Sequence, residues 1–261
     1  MLEAIILGIL QGLTEFIPVS SSAHLILLPW FFGWQGVVNT LGFDVALHLG
    51  TLIALVVYFR KDWVELLRTA RRKDGMIWHI LIATVPAAVA GLIFRDAVEG
   101  LRSPVLIIFT LSVVAALMLF TEKVKKGSEG IGMDKISRKD ALIIGIAQAL
   151  ALVPGVSRSG ITIVAGLMRG VQRQAAARFS FLMSTPIIAG AGFLETRKLV
   201  LSGDAAVRPD LFLAGIAVSA VTGYIAIKYL LRFLQNHSLK PFAYYRFLLA
   251  FVIIITVWTN R

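Results

Sequence analysis

Cysteine is absent from the 261 residues. That excludes a disulfide framework, a thiol nucleophile, a c-type haem attachment and a Cys-ligated zinc. Charge is scarce as well, at 16% of residues against 57% hydrophobic, where a soluble domain carries about 25% and about 45–50%. Mean hydropathy is +0.81, so the chain reads as an integral membrane protein. The dyad alternation of an outer-membrane barrel is missing, and the apolar runs have helical length. No basic segment precedes the first apolar run, where Glu3 stands instead, so a cleavable signal peptide is not expected. The net charge of +11 would suggest nucleic acid only as one patch on a soluble domain. Here the basic residues fall between apolar runs and read as topology signal, with no nucleic-acid partner.

What is present is concentrated in two places. Residues 11–24, QGLTEFIPVSSSAH, put an amide, a carboxylate, a run of hydroxyls and an imidazole into a chain otherwise fit for lipid. Polar groups at membrane depth are costly, so they mark function more often than not. Gln11 and Glu15 share a helical face about 6 Å apart along the axis. Pro18 ends that helix, Ser20, Ser21 and Ser22 occupy the turn, and His24 opens the next apolar run. The second place is PGVSRSGIT, residues 154–162, where Arg158 lies among Ser157, Ser159, Thr162 and two glycines. Such turns form anion-binding nests, and the guanidinium fork matches phosphate oxygens. The competing reading of Arg158 is pairing with a carboxylate such as Glu15.

Residues 2–14 are too short to span a bilayer and predict a re-entrant hairpin with the run that follows. Three longer runs follow, at 43–59, 77–94 and 104–120, and then a Lys-, Gly- and Ser-rich linker at 122–140. ALIIGIAQAL at 141–150 then echoes AIILGILQGL at 4–13, placing Gln148 on Gln11. Dropping one residue thereafter aligns Pro154 with Pro18, Ser157 with Ser21 and Arg158 with Ser22. Runs at 179–195, 211–231 and 244–258 complete the second half. The fold class expected is therefore all-α, a polytopic helical membrane protein of two inverted-topology repeats. Each repeat has a re-entrant helix hairpin plus three transmembrane helices, and the two hairpins meet at the midplane. The chain is one membrane domain: repeat one 1–121, cytoplasmic linker 122–140, repeat two 141–261. Most of the 26 Lys and Arg then fall to one side, with Arg246 counted among them and Arg102 on the other. By the positive-inside rule that side is cytoplasmic, and both termini face outward.

Together the hairpins carry a kit for phosphoryl transfer. Arg158, Ser157, Ser159 and Thr162, with Ser20 and Ser22, supply donors for phosphate. Glu15 and Gln11 form a partial oxygen shell for a hard divalent cation, Mg2+ or Ca2+. The serines are candidate nucleophiles and His24 a general acid or base. Asp44 and His48, four apart, are read either as a second polar shell or as interfacial residues. The basic stretch 60–74 reads as a surface segment attracting anionic lipid.

QGLTEFIPVSSSAH and PGVSRSGIT together resemble the two signature motifs of the bacitracin-resistance protein family of undecaprenyl-diphosphate phosphatases. The resemblance covers essentially the whole chain. It implies catalytic roles for Glu15, Ser21, His24 and Arg158, a divalent metal, and a polyprenyl diphosphate lipid as substrate. It also implies a bacterial inner membrane setting, with the site opening to the outer side. The product would be the carrier lipid of cell-wall synthesis. The family motif carries an acidic or an amide residue at the Gln11 position, and the uncharged amide here makes a metal role weaker than that of Glu15. Whether serine attacks covalently or His24 activates water stays open, as does a transporter or flippase reading. A two-fold homodimer is the default expectation for assembly.

Overall fold

The computed structural model describes residues 1–72, 74–94, 97, 100–124, 130–202 and 208–259. Among them six helices are long and apolar enough to cross a membrane. In chain order the helices are α1 (Leu2–Phe16), α2 (Ser21–Phe32), α3 (Leu41–Tyr58), α4 (Arg60–Arg68), α5 (Met76–Ile93) and α6 (Pro104–Val124). The second half adds α7 (Arg138–Leu150), α8 (Arg158–Met168), α9 (Arg173–Ser202), α10 (Pro209–Asn236) and α11 (Lys240–Thr259). The expected runs coincide with helices, Phe59 and Phe94 standing one residue past the ends of α3 and α5, with α1–α2 and α7–α8 as the two short pairs.

The breaks are set by local chemistry. Ile17 is extended at φ −63° and ψ 129°, the conformation that a following proline imposes, and α1 stops there. Ser20 then caps α2, its hydroxyl accepting from the Ala23 amide, and Ser157 caps α8 by accepting from Gly160. Ser20 and Ser157 are the non-glycine residues with positive φ among those described, at 78° and 73°. Side chains avoid that region at a cost of about 1–3 kcal/mol, and such strain gathers at functional sites. α7 starts with a reciprocal capping box between Ser137 and Asp140. Burial works against the Asp140 carboxylate, but hydrogen bonds from Ser137 and Arg169 hold it below the usual carboxylate range.

The two halves pack by the same scheme. α1 lies against α10 as α7 lies against α5, while α3 meets α9 and α6 meets α11. Glycine makes the first two contacts close: a Cβ on Gly8 would stand 2.8 Å from the Gly215 carbonyl oxygen, and one on Gly145 2.5 Å from that of Ala83.

Three sequence expectations need correction. The repeat register does not drop a residue before the turn. Gly8 and Gly145, Gln11 and Gln148, Ser20 and Ser157, and Ser22 and Ser159 are matched pairs at one constant separation. Ser21, not Ser22, therefore corresponds to Arg158. The prolines misled the alignment because α7 ends at Leu150, so Pro154 sits at a different point of a longer turn. The second correction is Arg246. It is fully buried inside α11, because that helix begins at Lys240 and not near Tyr244. The expected linker also starts later than residue 122: α6 continues to Val124, with Glu122 held by Arg173 and by the Leu239 amide.

Candidate active site

Glu15 is the hub of the polar interior. It sits in the last turn of α1, 5% exposed, and four side chains converge on its two oxygens. The Arg158 guanidinium pairs with Oε1. On Oε2, the Ser21 hydroxyl donates at 2.6 Å and the Gln11 amide at 3.0 Å. His48 Nε2 stands 3.3 Å from the same oxygen. Three separate elements thus meet on one carboxylate: the first hairpin, the N-terminus of α8, and α3. An ion pair at such depth needs its remaining lone pairs satisfied, and the Ser21 and Gln11 bonds do this.

The expected residues divide accordingly. Gln11, Glu15, Ser21 and Arg158 are brought into contact. His48, read from the sequence as either part of a second polar shell or interfacial, is in the cluster. Its Nδ1–H donates to the Asp44 carbonyl at 2.7 Å, which aims Nε2 at Glu15. His24 lies elsewhere. Its Nδ1 is 2.7 Å from the Ser20 carbonyl and its Nε2 2.7 Å from the Tyr245 hydroxyl, with the two rings stacked. Both nitrogens are therefore engaged by partners other than Glu15. Asp44 pairs with Arg102 at 2.9 Å.

The hydroxyls of the second hairpin are engaged within the fold, Thr162 also meeting the Ser180 hydroxyl on α9 at 2.6 Å. Ser157 Oγ caps α8 and lies 3.3 Å from Ser159 Oγ, and Thr162 donates to the Arg158 carbonyl at 2.6 Å. Ser20 and Ser22 hydroxyls are likewise 3.2 Å apart, and Ser22 accepts from the Gly155 amide at 3.4 Å. That last bond links one hairpin turn to the other.

A stronger link was not read from the sequence. Arg246 donates to the carbonyls of Pro18 and Gly155, at 3.5 and 2.7 Å, and of Val156 at 3.2 Å. It also reaches the carbonyls of Leu111 and Thr110 on α6, each at 3.2 Å. One guanidinium on α11 thereby clasps both turns against α6. The available signal was an arginine within an apolar stretch, which hairpin-based topology assigned to a loop.

Beside the cluster opens a cavity of about 470 Å³. Ser22, Asp44, His48, Thr84, Arg102 and Glu195 supply polar lining, and the rest is apolar, with Leu25, Val45, Leu92 and Leu194 among it. Such a space suits a ligand with a charged head and an apolar chain.

Among the described residues no group of three or more His, Cys, Asp or Glu is arranged to hold a metal. Two observations nevertheless fit a hard cation. Gln11 Oε1 is buried without a hydrogen-bond partner, and the carboxylate beside it is the only acid that α1 brings to the cluster. These are oxygen donors, fewer than a cation needs, so substrate oxygens and water would have to complete the shell.

Comparison with known proteins places the chain in a family. The family described as bacitracin resistance protein BacA matches residues 4–252. A protein of Thermodesulfovibrio yellowstonii named undecaprenyl-diphosphatase is 51% identical, covering 98% of this chain and 96% of its own. One of the same name from Moorella thermoacetica is 47% identical over 100% of this chain and 99% of its own. Another, from Geobacter metallireducens, is 46% identical, covering 95% and 94%. Similarity that runs from the first hairpin through the last helix takes in both polar turns and every span between them, and the chain belongs to the bacitracin resistance protein BacA family.

Proposed function

We propose that this multi-pass membrane protein hydrolyses undecaprenyl diphosphate to undecaprenyl phosphate and inorganic phosphate. The observation that carries the reading is Glu15, held between a serine hydroxyl and an arginine beside a largely apolar cavity. A lipid flippase needs an anion site and an apolar path, but has no use for a hydroxyl donating to a buried carboxylate. Release of the carrier lipid, and with it bacitracin resistance, is the role this activity supports.

The terminal phosphate enters beside Arg158 and competes with Glu15 for the guanidinium, which binds phosphate oxygens through two parallel N–H donors. Glu15, no longer bound to the cation, accepts the Ser21 proton. Ser21 Oγ attacks the terminal phosphorus, the bond to the bridging oxygen breaks, and the polyprenyl phosphate departs with that electron pair. Water then cleaves the phosphoserine, and its proton returns through Glu15 to Ser21. His48 Nε2, next to Glu15, is placed to carry a proton onward. His24 grips the Ser20 carbonyl and so steadies the strained turn that presents Ser21. Direct attack by water remains the rival path, and the engagement of both His24 nitrogens favours serine. A divalent cation held by Glu15 and Gln11 would neutralise charge on the phosphate oxygens.

Phosphate release from undecaprenyl diphosphate by the purified protein, with and without chelator, tests the activity. In the same assay Gln11→Glu adds an anionic oxygen next to Glu15. Half-saturation by metal is expected at a several-fold lower concentration, since ligand charge tunes affinity for hard cations. An unshifted titration removes Gln11 and Glu15 from the metal shell.

The orientation follows from the same reading. The inverted repeat puts the cavity mouth and both termini on the outer side of the bacterial inner membrane, with residues 61–76 and 122–140 inside. Ser128, a natural labelling position in the linker, lies outside the described residues. Exposed Gln35 and Asp134 serve instead. Cysteines at these two positions of a chain with no native cysteine should label from opposite faces of intact spheroplasts. Labelling of both from one face defeats the inverted arrangement.

A further inference from the structure

Arg102 stands just before α6 and belongs to neither hairpin. Its Nη2 lies 2.9 Å from Asp44 Oδ2, and its side chain is 28% exposed while that of Asp44 is 10%. Both residues line the cavity beside the Glu15 cluster. The pair differs in kind from the clasp between Glu122 and Arg173, whose side chains are only 2% and 14% exposed. That arginine is locked in by two parallel bonds to the carboxylate. Among the described residues Arg102 makes one such bond, and its planar fork has further donors to offer a ligand in the cavity.

The wall of the cavity thus repeats one arrangement. Asp44 pairs with Arg102, and one helical turn further along α3, about 6 Å on, His48 reaches Glu15, which in turn holds Arg158. Each cation is held in reserve by a carboxylate. Two carboxylate-held cations, tied to α3 through Asp44 and His48 one turn apart, suit the two phosphates of a bridged diphosphate. We infer that Arg102 forms a second anion subsite, which takes the lipid-proximal phosphate of a diphosphate while Arg158 takes the terminal one. The inference rests on the phosphatase reading for the identity of the lipid, but not for the chemistry of the subsite. When the bond between terminal phosphorus and bridging oxygen breaks, the departing electron pair stays on the proximal phosphate. Arg102 then lies beside the oxygen that gains charge. The aliphatic lining beyond it receives the chain.

Inorganic diphosphate and inorganic phosphate distinguish the subsite from the overall reaction. Their dissociation constants are measured for the wild type, Arg102→Gln and Asp44→Asn, alongside phosphate release from the lipid. Wild type should prefer diphosphate. Arg102→Gln is expected to lower that preference about tenfold, the loss of about 1.4 kcal/mol. Inorganic phosphate binding, which needs only Arg158, stays nearly unchanged. Asp44→Asn frees Arg102 from its competitor and should raise the preference several-fold. A diphosphate-to-phosphate ratio that neither substitution moves overturns the subsite. A wild type that shows the ratio but releases no phosphate overturns the phosphatase reading and leaves the subsite standing.

Discussion

Glu15→Gln is expected to lower phosphate release by at least about a thousandfold, within the range that removal of a positioned proton acceptor produces. Glutamine keeps the shape of the side chain and leaves an oxygen near Ser21, but the group no longer takes a proton at neutral pH. The second consequence is on stability. Arg158 has a side chain only 16% exposed, and the substitution leaves it without its counter-ion. Breaking one side of a buried pair costs about 3–5 kcal/mol. Part of that falls away here because a phosphate or water can reach the cavity side. Glu15→Gln with Arg158→Gln removes both charges together, so the double variant should recover most of the thermal stability and none of the turnover. Turnover in Glu15→Gln within tenfold of wild type would leave Glu15 as a pairing group and nothing more. Failure of the double variant to recover stability would show that the Ser21 and Gln11 bonds, not the ion pair, hold the hairpins together.

How much of this was legible in the sequence differs from residue to residue, for physical reasons. Hairpins and spans were readable because length against bilayer thickness is a one-dimensional property. The contact of Glu15 with Arg158 was readable for another reason: two opposite charges in apolar surroundings have few alternatives to each other. The choice between His24 and His48 was not. Both histidines lie near polar turns, and only the packing of α3 against α1 decides which ring reaches the carboxylate. The repeat register failed where a proline was taken as its anchor. Proline marks where a helix ends, and the two hairpins end their first helices at different points. The constraint they share is the strained serine that caps the second helix, and positive φ at a serine leaves no mark in composition. Arg102 and Arg246 illustrate the same limit in charge counting. An arginine near the end of an apolar run looks like a loop residue whether it faces headgroups, a cavity or five carbonyls.

Arg246→Met should be the most damaging single substitution away from the Glu15 cluster. Methionine fills much of the volume but donates nothing, and the carbonyls of Pro18, Thr110, Leu111, Gly155 and Val156 lose a shared donor. The Thr110 and Leu111 carbonyls lie within a helix that also has its own amide partners. Those of Pro18, Gly155 and Val156 lie in the hairpin turns, where helical bonding is interrupted. An unsatisfied buried polar group costs about 1–3 kcal/mol, so the three turn carbonyls alone predict a loss of several kcal/mol. Because both turns are anchored to the same guanidinium, the loss should also displace Ser21 relative to Arg158, and turnover should fall by about a hundredfold or more. Arg246→Lys separates these effects. An ammonium restores the charge and reaches some of the carbonyls, but it lacks the planar fork that spans two turns at once. Thermal unfolding of Arg246→Lys in detergent is expected midway between wild type and Arg246→Met, with turnover close to that of Arg246→Met. If turnover instead recovers in step with stability, Arg246 is a fold determinant only, and the alignment of the two hairpins is set by α6 and the Glu15–Arg158 contact.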